Sequence, residues 1–148
     1  MGDQEPIPAA DVKIHDLVED DEVWRRIPPQ RFTFDSNRGI FRPSTDCFRD
    51  HPNGTPMSAF LASECKDPVL ALAGNDGFAL VAINVRIVRE CNQTVVPAQK
   101  DDLAPGHVHV AGNKSDSVRK RFARECRWVV EPSDDAKEKV LNRARGQD

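Results

Sequence analysis

Residues 107–128 restrict the fold more than any other stretch, because they join a strand pattern to a basic helix through a short loop. His107 to Val110 alternates polar and apolar side chains and includes two valines, the pattern of a half-buried strand. Gly112 interrupts it, and Ser115 or Ser117 can cap a following helix through the side-chain oxygen. One face of that helix is apolar and comprises Val118, Phe122, Ala123 and Cys126.

The remaining patterns predict several short strands and few helices. Phe78–Val85 is the most hydrophobic run and predicts a central buried strand, while 86–91 fits either a helical turn or an extension of that strand. Asp67 and Pro68 can open a short helix that Gly74 ends. Further strands are predicted at 22–27, 31–34, 57–61, 94–97 and 127–130. Because no βαβ regularity is present, we predict an α+β domain with a mixed or antiparallel sheet of about five or six short strands and about two or three short helices.

The apolar positions of these patterns define a predicted core, which a chain of 148 residues can bury without disulfide bonds. It comprises Val23, Ile27, Phe60, Leu61, Leu70, Phe78, Leu80, Ala82, Val85, Val108, Val110, Phe122 and Val129. The cysteines are widely spaced with no C-x-x-C pair, which argues against a structural zinc site and fits reduced thiols in the cytoplasm.

Charge and composition divide the chain into three segments. Residues 1–20 are predicted to be an acidic arm, 21–132 a single α+β domain, and 133–148 a charged tail or marginal helix. No hydrophobic run is present near the N-terminus, so we expect neither a signal peptide nor a membrane span, and we expect a cytoplasmic protein.

The start of the basic helix is a candidate anion site. Backbone N–H groups at a helix N-terminus attract anions, and cations lie close to this one in the sequence. The predicted anion-binding residues are Lys114, Ser115, Ser117, Arg119 and Lys120. The loop lacks the glycine spacing of a nucleotide-binding P-loop. The net charge of −3 and the absence of interleaved aromatic residues argue against nucleic-acid binding.

A second group of polar residues is a candidate cleft. His107 and His109 are two positions apart on a predicted strand, so their side chains point to the same side. Arg42 and Asp46 lie in a polar loop that could hold a substrate or only cap a turn. Two histidines are too few ligands for a metal, and we predict no metal site.

The segments Trp24-Arg25-Arg26-Ile27, Arg42-Pro43-Ser44 and Phe60-Leu61-Ala62 together resemble a group of small bacterial proteins with no established activity. The chain contains no complete catalytic motif, and its acidic N-terminal segment could dock on a partner. Our leading hypothesis is therefore a non-enzymatic protein-binding or adaptor module of a bacterial multi-component system, such as a defence or conflict system. It would need no cofactor, and its partner would be another protein.

The order of parts between residues 23 and 85 also resembles RES-type toxins of the ADP-ribosyltransferase-like class. The shared features are an arginine-bearing strand, a loop, the Pro56–Ala62 strand with Glu64 beyond it, and an apolar strand. The resemblance implies an NAD-using enzyme, or an inactive relative, in which Arg26 binds the diphosphate, Ser44 or Ser58 the ribose, and Glu64 stabilises the oxocarbenium ion. Such toxins use tyrosines around nicotinamide and this chain has none, so this is the alternative hypothesis.

Overall fold

The computed structural model describes Leu17, residues 19–98 and residues 105–146, so almost all of the predicted arm lies outside the described residues. The strands are β1 (Glu22–Ile27), β2 (Phe32–Asp35), β3 (Ile40–Pro43), β4 (Met57–Leu61), β5 (Ala79–Asn84), β6 (Thr94–Pro97), β7 (His107–Ala111) and β8 (Arg127–Val130). The helices are α1 (Ala62–Cys65), α2 (Pro68–Ala71), α3 (Val85–Glu90), α4 (Asp116–Glu125) and α5 (Asp134–Ala144), and a 3₁₀ turn covers Thr45–Phe48.

Six of these strands form one antiparallel sheet in the order β6-β7-β4-β1-β5-β8, and β2 and β3 form a separate hairpin. This architecture confirms the predicted α+β class, and of the two predicted sheet types, mixed or antiparallel, it has the antiparallel one. The helices outnumber the prediction because the four-residue α1 was not predicted and because 86–91, where a helical turn and a strand were both open, lies largely in α3, whereas α2 lies where Asp67 and Pro68 predicted it. Turns this short lack the 3.6-residue periodicity that identifies a longer helix. Strand β3 lies in a stretch where the sequence predicted no regular structure.

The two faces of the six-stranded sheet have different surroundings, because successive strand residues point to opposite sides. One side, the helix-covered face, buries residues such as Val23, Val81 and Val108 against α3, α4 and the 3₁₀ turn. The other side, the cleft face, carries Trp24 and Phe60 and is packed by α1 and α2. The helices on the cleft face are single turns, so they cover less of the sheet.

Most of the predicted core is buried, and three predictions were wrong. Leu70 is 43% exposed because the single turn of α2 directs Ala71 inward and Leu70 outward. Phe78 is only half-buried because it precedes β5 at the border of a cleft, and Val129 is half-buried on the edge strand β8.

The two longest helices begin at serine caps. Ser115 Oγ accepts a hydrogen bond from the backbone N–H of Val118 at the start of α4, as the sequence predicted. Ser133 caps α5 in the same way, and Val140 anchors that helix in the interior. The segment predicted as a tail or marginal helix is therefore helical over most of its length, with Val140 as its buried residue. No helix of the described residues is long and apolar enough to cross a bilayer.

Candidate functional site

A cleft with a volume of about 440 Å³ opens on the cleft face of the sheet. It forms beside the point where β1 and β4 separate: their pairing stops at Trp24 and Phe60, whereas β1 stays paired with β5 through Ile27. The loss of pairing leaves room between two central strands for side chains and for a ligand. The sheet topology thus creates the cleft, and the residues on its walls determine its chemistry.

The Arg25 guanidinium bridges the gap between the separated strands. Its Nε donates a hydrogen bond to the Cys47 carbonyl at 2.9 Å, and its Nη1 donates to the Ser58 carbonyl at 2.7 Å. Burial lowers the pKa of Arg25, although an arginine remains protonated at neutral pH. No carboxylate of the described residues lies within ion-pair distance of this guanidinium. A positive charge is therefore held at the cleft by carbonyl groups alone.

Arg26 places a second guanidinium on the cleft wall. Its Nε donates to the Ala71 carbonyl at 2.6 Å, and its guanidinium carbon lies 4.8 Å from the centroid of the Phe60 ring. Desolvation by burial lowers the pKa of Arg26 as well, and no described carboxylate forms an ion pair with it. Arg31 also lines the cleft and pairs with Asp46 at 2.9 Å. Three arginines against one aspartate leave a surplus of positive charge.

A serine and a histidine meet inside the cleft. Ser58 Oγ lies 2.6 Å from Nε2 of His107, which is 6% exposed. The ring of His107 packs between Phe60 and His109, with centroid distances of 5.5 Å and 5.4 Å. Strands β4 and β7 fix this arrangement, because Phe60 is opposite His107 and Ser58 is opposite His109 in the register. As the strand period predicts, both histidines face the same side of the sheet.

A thiol also borders the cleft but is not reactive at neutral pH. Burial raises the pKa of Cys47 to about 11, and the nearby Asp46 acts in the same direction. Its Sγ donates a hydrogen bond to the Arg31 carbonyl. The thiolate is the nucleophilic form of cysteine, and this thiol donates to a carbonyl, whereas the Ser58 hydroxyl contacts the imidazole of His107, so Ser58 is the better placed nucleophile. Within residues 19–98 and 105–146, no group of three or more histidine, cysteine, aspartate or glutamate side chains is arranged to hold a metal ion.

The predicted RES-type residues do not come together. Arg26 and Ser58 line the same cleft, but Ser44 borders a different depression beside α5. Glu64 is exposed on α1 and does not line the cleft. Four residues implied by one resemblance are thus separated into a pair in the cleft and two residues outside it.

The two loop residues predicted for the cleft are also separated. Asp46 lines it, and its Oδ1 is buried without a hydrogen-bond partner among the described residues. Arg42 lies instead on β3, where its Nε is 3.4 Å from Asp35 Oδ2 in an ion pair without hydrogen-bond geometry. The β2–β3 hairpin, which the sequence analysis missed in part, draws Arg42 away from Asp46.

The predicted anion site at α4 is not assembled as expected. Lys114 is turned inward: its Nζ donates to the carbonyls of Val110 and Gly112 and pairs with Asp50 at 3.0 Å. Its ammonium therefore has internal partners and is not directed at the helix N-terminus. Ser115 Oγ is committed to capping the helix.

The two remaining cations of that prediction have an acidic neighbour. Arg119 and Lys120 both pair with Asp116, at 3.6 Å and 2.9 Å. Asp116 occupies the first turn of α4, and its proximity in the sequence was the signal that our prediction left out. Ser115, Ser117 and Lys120 do border a surface depression of about 570 Å³, but Lys114 and Arg119 do not.

Sequence reasoning missed several members of the cleft, among them Arg25, Arg31, His51 and Asn75. Adjacent arginines on a strand point to opposite faces, so the strand pattern could not place Arg25 and Arg26 in one cleft, and Arg25 reaches it through the gap between β1 and β4. His51 and Arg31 lie in turns and reach the cleft only through the tertiary fold. Comparisons with protein-family models, with characterised proteins and with solved structures found no match to this chain.

Proposed function

We propose that the protein binds a phosphate-bearing small molecule of the nucleotide type in the cleft between β1 and β4. One observation carries this proposal: Arg25 and Arg26 hold two guanidiniums at the cleft with carbonyl partners, and no carboxylate of the described residues is within ion-pair distance of either. A buried charge is costly unless it is paired, and a guanidinium matches the geometry of phosphate oxygens. An anionic ligand would supply the missing counter-charge.

The size and lining of the cleft favour a nucleotide over a free phosphate. Its volume of about 440 Å³ falls within the range of small-molecule sites, about 300–1,000 Å³. Phe60 and Phe78 offer apolar surface for a base or a sugar, and Asn75 offers an amide. The buried Oδ1 of Asp46 lacks a described donor and could accept a hydrogen bond from a ligand hydroxyl. The cleft thus combines a cationic region with surfaces suited to an attached organic group.

This proposal retains part of the alternative hypothesis and sets the leading one aside. NAD belongs to the proposed ligand class, and Arg26 would bind its diphosphate. ADP-ribosyl transfer gains no geometric support because Glu64 lies outside the cleft. The adaptor hypothesis depends on the acidic arm, almost all of which lies outside the described residues.

Calorimetric titration with ADP, ADP-ribose, NAD and inorganic phosphate tests the proposal. We expect saturable binding of at least one nucleotide, weaker binding of phosphate alone, and loss of affinity as salt rises. Arg26→Gln should weaken nucleotide binding about 10- to 100-fold, since a charge-assisted hydrogen bond contributes roughly 1.5–3 kcal/mol.

Arg86→Gln provides a matched control with the same loss of charge. Arg86 is exposed on α3, which packs on the helix-covered face, and its ion pair among the described residues is with Glu90. The Arg86→Gln variant should bind nucleotides with unchanged affinity. The proposal fails if no nucleotide binds saturably, or if Arg26→Gln and Arg86→Gln bind with the affinity of the unmodified protein while both remain folded by circular dichroism.

A further inference from the structure

We infer that Ser58 is a nucleophile and His107 its general base, and that together they transfer a phosphoryl group from a phosphate ester or anhydride to water. This inference rests on the proposed function, because the arginines of the cleft would deliver the phosphate to Ser58. It goes beyond binding, since it assigns a covalent reaction to two residues.

The distance between the two side chains supports this assignment. Ser58 Oγ and His107 Nε2 are 2.6 Å apart, which is within the range for transfer of the hydroxyl proton to a neutral imidazole. When the proton of the neutral ring is on Nδ1, Nε2 accepts the serine hydroxyl. The ring cannot easily rotate out of this position, because it is buried and packed against Phe60 and His109. A base held in one orientation is a requirement of this kind of catalysis.

Phosphoryl transfer also requires positive charge near the transferred group, and the arginines close to Ser58 supply it. Arg25 donates from Nη1 to the carbonyl of Ser58 itself, so its charge is fixed beside the proposed nucleophile. Arg26 lies above the Phe60 ring, two residues along β4 from Ser58. Guanidiniums placed in advance around a phosphoryl group stabilise the charge that its oxygens carry in the transition state. Arg25 has two roles here, because it holds the backbone of Ser58 and its charge also lies at the cleft.

The proposed reaction consists of two balanced steps. First, Ser58 Oγ forms a bond to phosphorus, the bond from phosphorus to the leaving oxygen breaks, and the Oγ proton moves to His107 Nε2. The leaving oxygen departs toward the open side of the cleft and receives the His107 proton through a water molecule, so that the imidazole is neutral again. Then water attacks the phosphoserine, gives a proton to the imidazole, and releases phosphate as Ser58 is protonated again. The net reaction is hydrolysis, and water is the one co-reactant.

Two assays on the full chain test the inference. One measures phosphate release from p-nitrophenyl phosphate and from ADP. The other uses a fluorophosphonate probe, which labels activated serines, with the modified peptide identified by mass spectrometry. We expect turnover, and labelling at Ser58. Ser58→Ala should abolish labelling, and both Ser58→Ala and His107→Gln should reduce phosphate release by about 100-fold or more.

Ser63→Ala is the matched control, because Ser63 is exposed on α1 and does not line the cleft. It should retain full turnover and labelling. Ser58→Ala removes one hydroxyl and should still bind ADP in the calorimetric titration, which separates loss of chemistry from loss of binding.

The inference is overturned if neither phosphate release nor labelling of Ser58 occurs, or if Ser58→Ala retains the turnover of the unmodified protein. If nucleotide binding that depends on Arg26 persists in that case, the proposed function stands and only the reaction is wrong. Labelling of Ser58 that requires His107, without any nucleotide binding, would support the serine–histidine pair and contradict the proposed ligand.

Discussion

The ammonium of Lys114 and the carboxylate of Asp50 form an ion pair that ties the loop after β7 to the loop before β4. Lys114 Nζ lies 3.0 Å from Asp50 Oδ1, and the lysine side chain is only 4% exposed. The same Oδ1 accepts the backbone N–H of Met57, the first residue of β4. The pair therefore secures the start of the strand that carries Ser58.

Lys114→Met should destabilise the fold because it removes the buried ammonium that pairs with Asp50 and donates to the carbonyls of Val110 and Gly112. We expect the free energy of unfolding in urea to fall by about 2–4 kcal/mol. Lys120→Met is the control, since Lys120 and Asp116 are each 64% exposed and such pairs contribute about 0–1 kcal/mol. Equal stability of the two variants would contradict a structural role for Lys114.

Gly106→Ala should destabilise the entry into β7. Gly106 has a φ of +84°, and a Cβ there would lie 2.9 Å from Glu64 Cβ and 3.0 Å from Cys65 N. Gly74 also has a positive φ, +76°, but nothing lies within 4 Å of its Cβ position. In thermal or urea unfolding, the free energy of unfolding should therefore fall by about 1 kcal/mol for Gly74→Ala and by about 2–4 kcal/mol for Gly106→Ala. A smaller fall in the free energy of unfolding for Gly106→Ala than for Gly74→Ala would contradict the close approach of Gly106 to α1.

Ser115→Ala should lower the free energy of unfolding by about 1 kcal/mol, because the helix loses its N-terminal cap. Ser117 lies two residues away, and among the described residues its Oγ is within hydrogen-bond distance of the Ser115 hydroxyl, at 3.2 Å. Ser117→Ala should change stability by less than about 0.5 kcal/mol. Chemical unfolding of the two variants distinguishes the cap from its neighbour, and the reverse order of effects would place the cap at Ser117.

Alkaline pH should destabilise the protein through its buried thiols. Burial raises the pKa of Cys47 to about 11 and that of Cys126 to about 12, from an ordinary value of 9.0. Because the folded state holds these protons more tightly than the unfolded chain, their stabilising contribution is complete below pH 9 and falls as the pH rises toward 11. For Cys47 the loss should be on the order of 2–3 kcal/mol.

Urea unfolding under reducing conditions at pH 8 and at pH 10.5 measures this loss. Replacing both residues, Cys47→Ala with Cys126→Ala, should flatten the dependence on pH even if it lowers stability at pH 8. If the free energy of unfolding falls as much between pH 8 and pH 10.5 in the double variant as in the unmodified protein, other groups cause the alkaline loss of stability.

Local sequence patterns were sufficient for the elements with strong periodicity or specific caps. The alternation in 107–111 predicted β7 and placed His107 and His109 on one side. Ser115 predicted the start of α4, because capping depends on residues within one turn. The run at 78–85 predicted the central strand β5, which is buried on both faces of the sheet. Each of these signals depends on neighbours in the sequence.

Short elements and side-chain directions could not be predicted in the same way. The β2–β3 hairpin pairs strands of four residues, too short for a clear alternation, and it draws Arg42 to Asp35. Lys114 looked like a free cation beside a helix, but Asp50 lies 64 residues earlier in the chain and pairs with it. A lysine stem is long enough to turn inward or outward, and a distant carboxylate made the inward direction favourable.

What the sequence by itself determined was an α+β domain, with a mixed or an antiparallel sheet left open, and the position of two histidines on one strand face, because both follow from residue periodicity. What only the tertiary structure decided was the cleft. Ser58 and His107 are 49 residues apart in sequence and meet through the β4–β7 register. Arg25 reaches Ser58 because β1 and β4 separate after two paired positions. Strand order and register depend on burial summed over the whole core, so no local pattern could bring these side chains together.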